Sequence, residues 1–214
     1  GLPPPKGYLE RVREICDQHG ILMIFDEVIT GFGRLGHATA AERFGVTPDI
    51  LTFAKGVTSG TVPMGGCIVR NHIYEAFQTG PDHAIDLFHG YTYSGHPMAS
   101  TAGLATLNLY RDEGLFERAR ALEPKFAEAA IALKENPLVL DIRTIGLAVG
   151  FDLAPVDGLP GKRGFDVMRD AFHNENIMLR VSADTLAMSP PLIAEESHVA
   201  EIFEKFRNVL DRAG

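Results

Sequence analysis

Ile21-Leu-Met-Ile-Phe-Asp26 and Ile50-Leu-Thr-Phe-Ala-Lys55 decide how this chain folds. Each is a continuous apolar run of strand length, the pattern of a strand buried on both faces in a parallel sheet. Each also ends in a charged residue. In open α/β sheets, ligands bind beyond the carboxyl ends of the strands. Two such runs paired in parallel deliver Asp26 and Lys55 to one edge of the sheet. A lysine is seldom placed there without a partner or a task. On the strands alone two readings stay open. One is an ion pair closing the sheet, which at a rim contributes little. The other is a ligand site.

Outward from these runs, the spacing of Tyr8, Val12, Ile15, Cys16 and His19 predicts an amphipathic helix over 7–19, with Gly20 as its C-terminal cap. A short helix over 37–44 leads into the second run, and Gly66-Cys-Ile-Val-Arg70 reads as a third strand. Strand, helix and strand in this rhythm argue for α/β layers. Residues 78–96 are rich in Gly, His, Pro and Thr and read as a long loop, often a functional feature. Pro97 is placed to open a helix running to about Glu113. Another runs to about Glu135, with a kink or a new start expected at Glu123-Pro124. Beyond it, strands are expected over 138–143, 147–153 and 177–188, with helices over 165–174 and 195–212. A domain boundary is expected between about 105 and 115, dividing the chain into 1–110 and 111–214.

The 214 residues are 45 % apolar, enough for a sizeable core, and no apolar run approaches the ~20 residues of a membrane span. Lys and Arg number 20 against 28 Asp and Glu, a net charge of −8. That balance argues against nucleic acid as a partner, while leaving room for a small anion in a locally positive pocket. Cys16 and Cys67 are isolated thiols and point to a reducing, cytoplasmic setting rather than a disulfide scaffold. No cluster has zinc-ligand spacing, so no metal is expected, and His83, His89 and His96 read as loop residues. The opening Gly1-Leu-Pro-Pro-Pro-Lys-Gly7 reads as a cut inside a longer protein or a processed start. Gly31-Phe-Gly33-Arg-Leu-Gly36 fits the dinucleotide fingerprint GxGxxG. Its context fails, because Asp26 to Thr30 intervene after the strand and the next strand ends in Lys55 rather than an acidic residue. A nicotinamide-dependent oxidoreductase is therefore the rival enzyme class.

Three ordered segments change the odds between ion pair and ligand site. Asp26-Glu-Val-Ile-Thr-Gly-Phe-Gly-Arg34 resembles the aspartate signature of class III aminotransferases, and Thr47-Pro-Asp-Ile-Leu-Thr-Phe-Ala-Lys-Gly56 resembles their lysine signature. His89-Gly-Tyr-Thr-Tyr-Ser-Gly-His-Pro97 is similar to a third family segment. The resemblance covers essentially the whole chain and corresponds to the family's C-terminal half. It implies the aspartate-aminotransferase-like α/β fold of pyridoxal-phosphate enzymes (fold type I), in which the strand at 66–70 runs antiparallel. Residues 1–110 would be the end of the large cofactor domain and 111–214 the small C-terminal domain.

The same resemblance assigns chemistry to residues. Lys55 would hold the aldehyde of pyridoxal 5'-phosphate as a Schiff base and then move the substrate's proton. Asp26 would keep the ring nitrogen protonated, since a nearby opposite charge favours the charged form. Val28 would pack on one ring face, or else is plain core. Thr92, aided by the Tyr91 N–H, would bind the cofactor phosphate of a partner subunit, making the enzyme at least a dimer; otherwise it is an ordinary loop threonine. Arg180 would grip a substrate carboxylate through paired hydrogen bonds, or is a surface arginine at a strand end. Arg34 reads as structural. Within the family, 89–97, 141–147 and 180–186 look most like β-alanine (ω-amino acid):pyruvate transaminases. The expected reaction is ping-pong transfer from an ω-amino acid or amine to pyruvate. The alternatives are the 4-aminobutyrate, acetylornithine and glutamate-semialdehyde branches, or an inactive fragment lacking the N-terminal half.

Overall fold

The computed structural model describes residues 2–84 and 87–214; of the long loop expected over 78–96, residues 85 and 86 lie outside the described residues. The chain divides into two compact units. One comprises Pro4–Gly33 and His37–Phe116, the other Glu117–Gly214 with Arg34–Gly36 and Gly1–Pro3. The division therefore falls after Phe116, whose ring packs on Tyr110 at 5.1 Å between centroids.

In the first unit, helix α1 (Tyr8–His19) precedes β1 (Ile24–Asp26), α2 (Ala40–Phe44) and β2 (Ile50–Phe53). A single 3-10 turn over Lys55–Thr58, then β3 (Gly66–Val69), α3 (Asn71–Ala76) and α4 (Pro97–Asp112) follow. The sheet order is β1-β2-β3. β1 and β2 are parallel, with Ile24 opposite Ile50 and Asp26 opposite Thr52, and β3 pairs antiparallel to β2. Gly20 in the left-handed region ends α1, and Pro97 occupies the first turn of α4, where a missing N–H is harmless.

β1 departs from the reading of a strand buried on both faces. Met23 and Phe25 are buried, but Ile24 is 58 % exposed, as are Ile21 and Leu22 to about half. Among the described residues one face of this strand is covered, by α1 through Leu9, Val12 and Cys16. The helix correspondingly buries that stripe and leaves Tyr8 and Ile15 exposed. α3 was not legible in advance, because Asn71–Ala76 is too short to show a helical period.

The second unit holds most of the fully buried side chains. Helix α5 (Leu115–Ile131) starts at the end of the first unit and continues through Pro124 as one element, so of the kink or new start expected there the new start is absent. Then come β4 (Val139–Ile145), β5 (Ala148–Leu153), α6 (Lys162–Asn174), β6 (Arg180–Ser182), β7 (Thr185–Met188) and α7 (Glu196–Ala213). The run expected as one strand over 177–188 is a hairpin, β6 and β7, turned at Ala183 with φ 51°. The sheet is antiparallel in the order β4-β5-β7-β6. Phe126, Phe151 and Phe206 are fully buried and interlock with Phe203 at ring distances of 5.0 to 6.4 Å.

Candidate active site

Because β1 and β2 run parallel, their carboxyl ends share one edge, and Asp26 and Lys55 both emerge there. Asp26 closes β1. Its Oδ1 accepts the Val28 N–H at 3.1 Å and the Thr52 hydroxyl at 3.3 Å from the neighbouring strand. Its Oδ2 has no partner among the described residues. Lys55 opens the 3-10 turn two residues past β2, is exposed, and takes a left-handed φ of 48°. Its ammonium also has no hydrogen-bond or ion-pair partner among the described residues. The two groups do not pair with each other, so the salt-bridge reading of this edge is not realised. Val28 is half-buried beside them in the chain.

Between the two, the loop 27–39 is organised by a residue that the sequence did not single out. Glu27 is 1 % exposed. Its carboxylate accepts the Thr30 hydroxyl at 2.5 Å and the N–H groups of Ala40 and Ala41 at 2.8 and 2.9 Å. A buried carboxylate on the free N–H groups of a helix start is a favourable arrangement. Thr39 caps the same helix by accepting the Glu42 N–H. The glycines of the GxGxxG match serve this turn, far from a helix start at Ala40.

Asp49, just before β2, is a second residue that the sequence did not single out. It is buried, bound to Arg13 at 2.7 Å and to Arg70 at 3.5 Å, and accepts the Met23 N–H at 2.8 Å. Burial works to raise its carboxyl, yet the Met23 hydrogen bond and the Arg13 guanidinium outweigh it and hold the group below the ordinary carboxylate value. This ties α1, β1, β2 and the end of β3 together beneath the site.

Tyr91 and Thr92 lie in the exposed loop before α4. The Tyr91 N–H donates to His89 Nδ1 at 2.8 Å, and the two rings lie 4.6 Å apart. That N–H is thus committed in this conformation, whereas the Thr92 hydroxyl makes no hydrogen bond among the described residues. Arg180 begins the edge strand β6, in the second unit, and its exposed guanidinium has no partner among the described residues. Arg34 is structural: its Nη1 donates to the carbonyls of Leu147 at 3.0 Å and Pro190 at 2.5 Å. Arg143, in the segment 141–147, forks onto Asp152 at 2.6 and 2.7 Å.

An uncommitted amine and an uncommitted carboxylate oxygen thus stand at neighbouring parallel-strand ends, the edge at which open α/β sheets bind ligands. The class-III aminotransferase family profile matches residues 1–210. The chain belongs to that family. It is 51 % identical to an ω-aminotransferase from Caulobacter vibrioides over 98 % of the chain and 47 % of the relative. It is 44 % identical to a β-alanine–pyruvate aminotransferase from Pseudomonas aeruginosa, with the same coverage. The chain thus spans about half the length of the curated relatives it matches. An ω-transaminase structure from Thermomicrobium roseum superposes with a TM-score of 0.90 at 34 % identity, over 98 % of this chain and 47 % of that one. The fold is therefore that of the pyridoxal-phosphate-dependent transaminases. The site fits that cofactor: Asp26 Oδ2 is available to a ring N–H and the Lys55 amine to an aldehyde.

Proposed function

We propose that the protein containing this chain moves an amino group from an ω-amino acid or amine, such as β-alanine, to pyruvate. The carrying observation is the pair Asp26 and Lys55, brought to one sheet edge and left free of each other. The names of the relatives, ω-aminotransferase and β-alanine–pyruvate aminotransferase, support the substrate class. Pyridoxal phosphate supplies an aldehyde that takes up amines and a ring that withdraws electrons from the carbon bearing them. Lys55 would hold that aldehyde, and its amine would carry the proton at the substrate carbon. Asp26, steadied by Thr52 and the Val28 N–H, accepts the ring N–H and holds its proton in place. Val28, half-buried beside Asp26 in the chain, would supply an apolar side chain to the ring. The Thr92 hydroxyl donates to the phosphate held by a second copy of the protein, and Tyr91 joins it only where His89 releases its N–H. Arg180 orients the substrate carboxylate. In this reading the first unit is the end of the large cofactor domain, the second is the small domain, and the active assembly is at least a dimer. The two free cysteines favour a reducing, cytoplasmic setting.

The test is a donor and acceptor panel on the full-length protein. β-Alanine and related ω-amines should turn over with pyruvate in preference to 2-oxoglutarate. Preference for 4-aminobutyrate or acetylornithine with 2-oxoglutarate would move the protein to another branch. Borohydride should fix the cofactor on the peptide carrying Lys55, and Lys55→Ala should abolish that fixation; retained fixation would assign the amine to another lysine.

A further inference from the structure

Lys55 does not sit at the site unaided. A non-glycine residue with φ near +50° is held there only where its surroundings over-determine it. The Lys55 carbonyl accepts the Gly60 N–H at 3.2 Å, and the Gly56 carbonyl accepts the Ser59 N–H at 3.1 Å. Both are short-range bonds within the turn, whose Val57 and Thr58 are buried while Lys55 itself is exposed, and they leave the Gly56 carbonyl to be held from outside. A long-range contact supplies the rest. Tyr110, on α4 and only 8 % exposed, donates its phenolic O–H to the same Gly56 carbonyl at 2.6 Å. Its ring is seated between Phe32, at 6.4 Å and nearly parallel, and Phe116, at 5.1 Å. On the other side of the turn, a side chain at Gly56 would come within 2.8 Å of Phe32 Cβ, so the backbone is pressed against the loop that follows Asp26.

We infer that Tyr110 is a positioning residue for Lys55: its buried hydroxyl clamps the Gly56 carbonyl and so fixes the turn that presents the amine. This rests on the proposed role of Lys55. The clamp ties the helix to the turn through the Gly56 carbonyl, so rotation of the 56–57 peptide, next to Lys55, must break a buried hydrogen bond. Loss of the hydroxyl frees that peptide and lets the amine leave its place, without altering the aromatic stack.

The experiment uses the full-length holoenzyme with Tyr110→Phe and, as a packing control, Phe116→Leu. Tyr110→Phe should still bind cofactor with borohydride fixation on Lys55. Its kcat should fall roughly tenfold with little change in KM, the scale of one lost buried hydrogen bond. The pH dependence of the bound cofactor's absorbance should shift. In cofactor-free protein the Ser59 and Gly60 amides should exchange roughly tenfold faster. Phe116→Leu should lower Tm while leaving the absorbance profile and those amides as in the parent. Unchanged kcat, absorbance profile and exchange in Tyr110→Phe overturn the clamp alone, as does an equal shift in Phe116→Leu. Fixation of cofactor on a different lysine in the parent overturns the role of Lys55 and the clamp with it.

Discussion

Asp26 and Lys55 carry opposite charges at neighbouring strand ends and still do not pair, which leaves both available for the roles proposed for them. The carboxylate spends one oxygen on Val28 and Thr52 and keeps the other available. Asp26→Asn should therefore leave cofactor bound and cut kcat by roughly a hundredfold, since a neutral amide stabilises a protonated ring poorly. An unchanged kcat would remove the aspartate from the chemistry. Arg180 has an equally uncommitted side chain, on an edge strand of the other unit. Arg180→Ala should raise KM for β-alanine by roughly tenfold or more while sparing amines without a carboxylate. Equal losses on both kinds of donor would make the arginine structural. Both residues were legible as motif members. Glu27 and Asp49 were not, because a charged residue beside a strand reads as solvated until its burial and its partners are seen.

Elements were legible where a long period or an uninterrupted apolar run existed. α1, α4, α6, α7 and the paired runs ending in Asp26 and Lys55 fall into that group. The hairpin of β6 and β7 was not, since Ala183 and Asp184 turn the chain without a glycine or proline to announce it. That hairpin also packs closely against α6. Gly164, in the first turn of α6, has room for no side chain: a Cβ there would lie 2.1 Å from the Ala183 carbonyl oxygen and 3.0 Å from Asp184 Cα. Asp184 in turn accepts the N–H groups of Gly161 and Gly164 at 2.7 and 3.0 Å, joining helix start to hairpin. Gly164→Ala should thus destabilise the second unit by about 3 kcal/mol, read as a lower urea midpoint. A midpoint equal to the parent's would mean that α6 and the hairpin separate easily.

The molecule as a whole should weaken in acid by a route that the contacts define. Arg143 first, with help from the Thr185 hydroxyl and against the effect of burial, holds the Asp152 carboxyl at about 2. Burial raises Asp170, but Asn174 and Arg212 outweigh it and leave that carboxyl low as well. A carboxyl lower in the folded than in the unfolded state binds its proton preferentially after unfolding. Its contribution is complete above the unfolded value near 3.8 and disappears as pH falls toward the folded value. Urea midpoints should therefore be flat in this respect above about pH 5 and fall between about pH 4 and pH 2. Asp152→Asn should flatten that fall, and an identical acid slope in the variant would exclude the Arg143–Asp152 pair as its source.

From residue order came the α/β class, the two strands that end at Asp26 and Lys55, and membership of an aminotransferase family, because apolar period and local motif are properties of short stretches of chain. Burial and partnership came only with the folded chain. Which face of β1 is covered, how Glu27 holds α2, and how Tyr110 reaches the turn of Lys55 from 54 residues away all depend on contacts between distant segments. A hydrogen bond or a buried charge belongs to two places in the chain at once, and no reading of either place alone contains it.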